Sequence, residues 1–268
     1  MKTSIGFVTP YKHLPVFTEK VNKRFDCIEL TDFNTQVDYI FAAPNYIKYK
    51  ITEKHVRLTR CKGIITPSTG TNHIDVQSVP IFSLKNDEVL DSITSTAEHA
   101  LYLILAINRL NPPILELSES TLGILGYGRL GKILKKMCTN IFKEVITLDE
   151  NENKPSFFTN TDFLSINIDL KPENINYINK EFINKFTKKI FIVNTSRGEV
   201  VDEKQIVGLL KQGKVLGYGT DVVKEEFTKK NSYLMNKVGK SILITPHIGG
   251  TAITAQEKAY NKILNSII

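Results

Sequence analysis

Three polar side chains with complementary chemistry each follow an apolar, strand-like run of the sequence. Arg197 follows the run FIVNTS, His247 follows ILITP, and Glu226 lies in the polar segment after LGYGTDVV. The carboxyl ends of parallel strands meet at one edge of an open α/β sheet, which is where such sheets bind ligands. We therefore expect these three side chains to share one site.

A guanidinium, an imidazole and a carboxylate in one site are suited to acid–base chemistry on a carboxylic acid. Arg197 can hold a carboxylate through two parallel hydrogen bonds. The imidazole of His247, with a reference pKa of about 6.5, can give or take a proton. A carboxylate paired with an imidazole raises the pKa of the ring and fixes its orientation. Taken singly, each residue also fits a structural role: a surface ion pair, a turn cap or a solvated charge.

The middle of the chain contains a glycine-rich segment, TLGILGYGRLG, with the spacing G-x-G-x-x-G at Gly126, Gly128 and Gly131. An apolar strand-like run precedes it, and a helical pattern that opens with Arg129 and Leu130 follows it. In a dinucleotide site the first glycine permits a tight turn, the second lets the backbone approach the pyrophosphate, and the third lets the helix pack closely. The helix start offers free N–H groups to the phosphates.

An acidic residue completes this pattern, because Asp149 follows the apolar run VITL, 18 residues after the last glycine. A carboxylate there can accept hydrogen bonds from the adenosine ribose and repels a 2′-phosphate, so the pattern favours NAD over NADP. The simpler alternative is a tight turn with a solvated acid at a strand end. Beside a nicotinamide ring, Arg197, Glu226 and His247 would interconvert a 2-hydroxy acid and a 2-oxo acid.

Short apolar runs alternate with helical patterns, which indicates parallel sheets covered on both faces. The longest helical pattern runs from 92 to 110 and stops at two prolines. We predict two α/β lobes joined through this helix, with a last helix near 252–267. The predicted strands are 5–8, 37–42, 62–66 and 79–82 in the first lobe, and 122–125, 145–148, 163–168, 189–193, 216–220 and 242–244 in the second.

The composition narrows the class of protein. The 268 residues are 41% hydrophobic and 24% charged, which excludes disordered and collagen-like chains. The net charge of +7 does not indicate a nucleic-acid partner, because only six of the 35 basic residues are arginine and the lysines are dispersed. The three cysteines lack metal-ligand spacing, and no apolar run is long enough to span a bilayer. We expect a cytoplasmic protein with a small-molecule substrate, no metal and no membrane partner.

Several ordered segments resemble the signature blocks of the D-isomer-specific 2-hydroxyacid dehydrogenases, the family of D-3-phosphoglycerate, glycerate, D-lactate and formate dehydrogenases. The resemblance matches Arg197 to the substrate-binding arginine, Glu226 to the catalytic glutamate and His247 to the catalytic acid/base. The matching segments are TLGILGYGRLG, NTSRGEVVDE, GTDVVKEE and TPHIGG, with two further blocks, PSTGTNHID and STAEHALYLILAINR.

The resemblance also implies further roles. It implies that the backbone at Thr69 and Gly70 helps to hold the substrate carboxylate, and that Asp221 bonds the nicotinamide carboxamide. It places four residues along the cofactor cleft: Thr195, Ser196, Gly249 and Gly250.

In domain terms, the resemblance implies a Rossmann-type, doubly wound parallel-sheet NAD-binding domain at residues 92–249. It implies a smaller flavodoxin-like α/β substrate domain that is discontinuous, formed by residues 1–91 and 250–268. Members of the family usually form homodimers through their cofactor domains.

The sequence departs from the family pattern at several positions. Phe227 follows the catalytic glutamate where a proline is usual. Asn167 and Asp169 stand where a histidine and a proline are common, and a carboxylate at 169 could weaken NAD affinity. The stretch 150–162 is short for the family, which suggests that a helix is trimmed there. None of these departures removes a predicted catalytic residue.

The leading hypothesis is an NAD-dependent oxidoreductase acting on a small D-2-hydroxy acid or the matching 2-oxo acid. A second hypothesis is an NAD(H)-sensing or corepressor-like module on the same fold with little turnover, because a fold does not fix a function. The presence of Arg197, Glu226 and His247 argues against a pure sensor. A third hypothesis is an oxidoreductase with the same fold whose substrate is an inorganic or one-carbon acid.

Overall fold

The computed structural model describes residues 2–150, 152–228 and 232–265. The chain divides into two compact units. The first comprises residues 1–93, 227–229 and 250–268, and the second comprises residues 94–226 and 230–249. In the described ranges, no helix has both the length and the hydropathy needed to cross a membrane.

The first unit is built on a five-stranded parallel sheet. Its strands follow the order β2-β1-β3-β5-β7. This is the flavodoxin-like arrangement, in which the strand order changes its winding direction between β1 and β3. The strands of this unit are β1 (Ser4–Phe7), β2 (Asp26–Glu29), β3 (Tyr39–Phe41), β4 (Ile51–Thr52), β5 (Gly63–Ile65), β6 (Ile74–Asp75) and β7 (Ile81–Phe82), with β4 and β6 paired separately.

Helices cover both faces of this sheet. Helices α1 (Pro15–Arg24) and α8 (Ile253–Asn265) pack an aromatic cluster against one face, whereas residues of α2 (Glu53–Thr59) belong to the cluster on the other. Along β3, Ile40 and Phe41 are both fully buried and belong to opposite clusters. Burial on both faces explains why the central strands are continuous apolar runs.

The second unit is built on a six-stranded parallel sheet with the order β13-β12-β11-β10-β8-β9. This doubly wound sheet confirms the predicted fold class, and all six strands coincide with the predicted apolar runs. The strands are β8 (Thr121–Leu125), β9 (Glu144–Leu148), β10 (Phe163–Ile166), β11 (Ile190–Asn194), β12 (Val215–Thr220) and β13 (Ile242–Ile244).

Two layers of helices cover this sheet. Residues of α3 and α4 pack against side chains such as Ile124 and Val193, and residues of α5, α6 and α7 pack against the opposite face at Leu164 and Ile192. The helices are α3 (Ser95–Leu110), α4 (Arg129–Cys138), α5 (Pro155–Asn160), α6 (Lys180–Asn184) and α7 (Glu203–Lys211).

The short stretch between β9 and β10 has a visible effect on this sheet. Its described residues contain the six-residue α5 and no strand, so β9 forms the edge. In the usual dinucleotide-binding sheet, with the strand order 3-2-1-4-5-6, a third strand pairs with the outer side of the second strand, which corresponds to β9 here. The chain reverses its winding direction between β8 and β10, and the crevice at such a reversal is where doubly wound sheets bind ligands.

Candidate active site

Three neighbouring strands of the second unit present the predicted polar residues at one edge. The order β11-β12-β13 places the carboxyl ends of these strands side by side. Arg197 lies three residues after β11, Asp221 directly after β12, and His247 three residues after β13. Glu226 is delivered to the same edge by the segment that follows Asp221.

The turn that carries Arg197 is held by the side chain of Asn194. This fully buried residue accepts hydrogen bonds at Oδ1 from the backbone N of Ser196 at 3.0 Å and from its Oγ at 2.8 Å. Its Nδ2 donates to the carbonyl oxygen of Arg197 at 2.9 Å. The half-buried guanidinium donates from Nη1 to the Ser196 carbonyl at 2.7 Å. Because both ends of the turn are bonded to Asn194, the direction in which Arg197 leaves the sheet is fixed.

Gly198 allows two backbone segments of the site to touch. A Cβ atom at this position would lie 2.0 Å from the carbonyl carbon of Val223 and 2.3 Å from the nitrogen of Lys224. Backbone atoms cannot move aside as side chains can, so any other residue would push the segments apart. The close approach places the Arg197 turn against the segment that leads to Glu226.

The substitution Gly198→Ala is expected to lower kcat/KM by about ten- to a hundredfold, because a displacement of about 1 Å at a reacting group can cost 10²-fold. Gly208→Ala is the matched control, since a Cβ there meets no atom within 4 Å. Steady-state kinetics of the two variants, with the nicotinamide cofactor and the 2-oxo acid substrate that the sequence motifs predict, measure the difference. Equal rates in the two variants would contradict the proposed contact.

His247 and Glu226 form a close pair. The imidazole Nδ1 lies 2.9 Å from Oε1 and 3.0 Å from Oε2 of Glu226. Only 12% of the His247 side chain and 10% of the Glu226 side chain are exposed. His247 and Glu225 both have a φ of 58°, a conformation that costs about 1–3 kcal/mol for non-glycine residues and clusters at functional sites. The pair therefore rests on two strained backbone positions.

The charge of Glu226 also acts on Arg197. Burial lowers the pKa of the Arg197 guanidinium, and the nearby carboxylates of Glu226 and Glu199 oppose this effect. An arginine remains protonated in proteins, so the site keeps its cation. The second unit thus brings together a guanidinium, a carboxylate and an imidazole.

Asp221 anchors the turn that carries His247. Its Oδ1 accepts from Thr245 Oγ1 at 2.6 Å and from the backbone N of Ile248 at 2.8 Å, and its Oδ2 accepts from the backbone N of Gly249 at 2.7 Å. His99 Nε2, on α3, lies 3.3 Å from Oδ1 and 2.8 Å from Thr245 Oγ1. Burial of Asp221 raises its pKa, but these hydrogen bonds outweigh burial, so the pKa lies below its ordinary value.

The glycine-rich turn after β8 has the geometry of a phosphate cradle. Gly126 has a φ of +90°, and a Cβ there would lie 2.8 Å from the Asn167 carbonyl. A Cβ on Gly131 would lie 2.2 Å from the Gly126 oxygen, whereas at Gly128 it would face open space. Two of these glycines are required by packing, and the third leaves room for a ligand against the backbone at Arg129, where α4 begins.

Comparisons with known proteins decide the family. A family model described as "D-isomer specific 2-hydroxyacid dehydrogenase, NAD binding domain" matches residues 95–249, more than half of the chain. The chain belongs to this family. The match coincides with the second unit, and it agrees with the resemblance drawn from the motifs.

Individual relatives of the dehydrogenase are distant. It is 25% identical over 243 residues to the glycerate dehydrogenase of Methylorubrum extorquens, an alignment covering 79% of this chain and 76% of the relative. The solved pyruvate reductase of Chlamydomonas reinhardtii has a TM-score of 0.80 at 19% identity, covering 100% of this chain and 95% of that one. The NAD-dependent formate dehydrogenase of Staphylococcus aureus, in complex with NAD, has a TM-score of 0.76 at 21% identity, covering 100% and 94%. These structures share its fold.

NAD is the cofactor of the dehydrogenase, and the residues around β8 and β9 fit it. Gly126, Gly128 and the start of α4 at Arg129 and Leu130 would hold the pyrophosphate through backbone N–H groups. Asp149 directly follows β9 and is exposed, so its carboxylate is accessible to a ligand, as the predicted bond to the adenosine ribose requires.

Acidic and basic side chains surround this end of the cofactor site. Lys171 lies 3.5 Å from Glu150 and 3.8 Å from Asp169, and these two carboxylates raise its pKa. Glu152 accepts from the backbone N of Asp149 at 2.8 Å. The Asp169 carboxylate is therefore paired with a lysine, which reduces its repulsion of a bound dinucleotide. The amide of Asn167 donates to Ser165.

The remaining predicted residues fall in several places. Thr195 is buried and Ser196 is half-buried in the Arg197 turn, while Gly249 donates to Asp221. Thr69 and Gly70 lie in the first unit, after β5, where Ser68 Oγ donates to the Gly70 carbonyl at 2.8 Å. Gly250 also belongs to the first unit. Contacts of these residues with substrate or cofactor stay predictions, as does the predicted bond from Asp221 to the nicotinamide carboxamide.

Sequence reasoning missed the roles of Asn194 and Gly198, and for His99 it indicated a hydrogen-bonding helix residue without naming the partner. An asparagine that ends a strand before a Thr-Ser turn is a recognisable signal, because its short side chain bonds nearby backbone groups. The bond between His99 and Thr245 joins residues 146 positions apart, so no local pattern could have indicated it.

Proposed function

We propose that this dehydrogenase transfers a hydride between NAD(H) and a small D-2-hydroxy acid or the matching 2-oxo acid. The observation that carries the proposal is the pair formed by His247 Nδ1 and Glu226 at 2.9 Å, with the Arg197 guanidinium within electrostatic reach. A sensor that only binds NAD(H) has no use for a proton donor beside an anion-binding arginine.

In this proposal Arg197 binds and orients the substrate carboxylate. The planar guanidinium offers two parallel N–H groups, and carboxylate recognition of this kind is stronger and more directional than a single ammonium contact. The hydrogen bonds from Asn194 to both ends of the turn fix the backbone that carries Arg197 before the substrate binds. Little conformational freedom is therefore lost on binding. The family resemblance implies a further contact with the substrate carboxylate from the backbone at Thr69 and Gly70.

His247 would carry the proton. Because Nδ1 is bonded to Glu226, the other ring nitrogen, Nε2, is the atom that faces the substrate oxygen in this scheme. During reduction of a 2-oxo acid Nε2 donates its proton to the oxygen at C2, and during oxidation it accepts the proton back. Glu226 accepts from Nδ1–H and stabilises the imidazolium. Bound NAD(H) supplies or accepts the hydride at C2.

The direct test is a panel of 2-oxo acids with NADH, followed by the loss of nicotinamide absorbance. Glyoxylate, pyruvate, hydroxypyruvate and larger 2-oxo acids are tested for reduction, and formate is tested with NAD for the one-carbon alternative. Turnover with at least one 2-oxo acid supports the proposal. Tight NADH binding without oxidation by any 2-oxo acid, and without formate oxidation, would instead support the sensor hypothesis.

Asp149 is expected to make the enzyme prefer NADH over NADPH. Its carboxylate repels a 2′-phosphate, so Asp149→Ser should raise kcat/KM for NADPH by about tenfold, equivalent to about 1.4 kcal/mol. The same variant should weaken use of NADH, because the ribose loses a hydrogen-bond acceptor. Glu144→Gln is the control, since this exposed acid opens β9 at the opposite end of the strand. A wild-type enzyme that prefers NADPH would contradict this reading of Asp149.

We also propose the domain roles that the resemblance implies: residues 92–249 bind the cofactor, and residues 1–91 with 250–268 form the substrate domain. A homodimer through the cofactor domains is supported by α3, where Tyr102 and Leu105 are 51% and 40% exposed. Tyr102→Lys should shift the sedimentation coefficient from dimer to monomer, whereas Tyr49→Lys, an exposed tyrosine of the first unit, should not. A monomeric wild-type protein would refute the dimer.

A further inference from the structure

We propose that Glu203, at the start of α7, is a positioning residue that holds Glu226 against His247; this inference rests on the proposed function above. Glu203 does not belong to the predicted catalytic set. It is 3% exposed, and a glutamate is almost never so deeply buried unless its charge is satisfied.

The carboxylate of Glu203 bonds two separate parts of the chain. Its Oε1 accepts from the backbone N of Lys224 at 2.8 Å. Ser232 Oγ lies 2.9 Å from Oε1 and 2.8 Å from Oε2, and the same hydroxyl accepts from the backbone N of Leu234 at 3.1 Å. Hydrogen bonds to an ionised carboxylate are about twice as strong as those between neutral groups.

These two bonds bracket Glu226. Lys224 lies two residues before it and Ser232 six residues after it, so a single buried carboxylate fixes the chain on both sides of the glutamate that bonds His247. The Lys224 side chain also donates a hydrogen bond to Asn176 Oδ1, so a second interaction holds the chain at Lys224. The position of Glu226 is therefore set from α7 as well as from the contact at Gly198.

A role limited to helix capping does not account for these bonds. The N-cap of α7 is Asp202, whose side chain accepts from the backbone N of Gln205 at 3.0 Å. Glu203 is one residue further along and directs its carboxylate to Lys224 and Ser232 instead. The start of a helix favours a negative charge at this position.

The test compares Glu203→Gln with Glu181→Gln, an exposed glutamate in the first turn of α6. Glutamine keeps the shape of the side chain but replaces one acceptor oxygen with a donor. The first readout is the low-field NMR resonance of the His247 Nδ1 proton bonded to Glu226, assigned by its loss in His247→Asn. We expect Glu203→Gln to lose or broaden this resonance and Glu181→Gln to keep it.

The second readout is kinetic. We expect Glu203→Gln to lower kcat for the preferred 2-oxo acid by about tenfold and to alter the pH profile of kcat, while the KM for NADH changes less than twofold. Ser232→Ala removes the hydrogen bond to Glu203 and the one accepted from Leu234, but the carboxylate keeps its bond from the backbone N of Lys224, so this variant should weaken the resonance and lower kcat by about threefold. It provides the decisive variant if Glu203→Gln does not fold.

Two results would overturn the inference. One is a folded Glu203→Gln protein, or failing that a Ser232→Ala protein, with the wild-type resonance and the wild-type kcat. The other is an equal loss in Glu181→Gln. The NMR comparison does not require turnover, so an enzyme that reduces no 2-oxo acid would defeat the proposed function and leave the role of Glu203 to be judged from the resonance.

Discussion

His247→Asn is expected to lower kcat/KM for the preferred 2-oxo acid by about 10³-fold and to leave the Kd for NADH within about twofold of the wild-type value. General acid–base catalysis contributes about 10²–10⁴-fold, and the proposed function assigns the proton transfer to His247, whose Nδ1 lies 2.9 Å from Glu226 Oε1. Asparagine is chosen because it tolerates the positive φ at this position, where alanine would add backbone strain. Stopped-flow kinetics and NADH fluorescence titration measure the two quantities.

A neighbouring pair of carboxylates provides the control for this result. Glu226→Gln should lower kcat by about 10²-fold, because the amide cannot stabilise the imidazolium as a carboxylate does. Glu225→Gln should leave kcat unchanged, since the Glu225 side chain is exposed. Substantial activity in His247→Asn, or equal losses in the two glutamate variants, would remove the proposed acid–base pair.

Arg197→Lys is expected to lower kcat/KM by about 10²–10³-fold, mainly through a higher KM for the 2-oxo acid. Lysine keeps the positive charge but cannot form two parallel hydrogen bonds to a carboxylate. Hydrogen bonds to charged groups are worth about 1.5–3 kcal/mol each, and the loss of one or two of them accounts for the expected range. Initial rates across a wide range of 2-oxo acid concentration separate the effect on KM from that on kcat.

The substrate itself supplies the control for Arg197. If the guanidinium binds the carboxylate, the wild type should favour a 2-oxo acid strongly over its methyl ester, and Arg197→Lys should reduce that preference. A variant with the wild-type KM, or one that retains the full preference for the acid, would show that the carboxylate is bound elsewhere. In that case the backbone at Thr69 and Gly70 becomes the principal candidate.

Strands β8, β10 and β11 of the second unit could be predicted because every residue in them is buried. Apolar runs such as IFIVN and LGILG have no polar face, and only a covered parallel sheet accommodates them. The edge strand β2 was missed for the converse reason. Its residues Asp26 and Glu29 are exposed and Cys27 and Ile28 only half-buried, so the segment DCIE has no apolar run.

The location of Arg197, Glu226 and His247 at one edge of the sheet could be predicted, because each follows a strand end and the topology brings neighbouring strand ends together. The groups that hold these residues in position could not be predicted. Glu203 bonds Ser232 across 29 positions, and Gly198 touches Val223 across 25, so both roles depend on tertiary contacts without a local signature. Asp221 was assigned to the cofactor by resemblance, and its bonds to the His247 turn became visible only in three dimensions.

The turn that presents His247 is secured through main-chain amides. Ile248 gives its N–H to Asp221 while 42% of the residue remains exposed, and Gly249 gives its N–H to the same carboxylate. Substitution of the side chain at position 248 should therefore leave the position of the His247 imidazole unchanged. Proline is the exception, because it alone has no amide hydrogen to give.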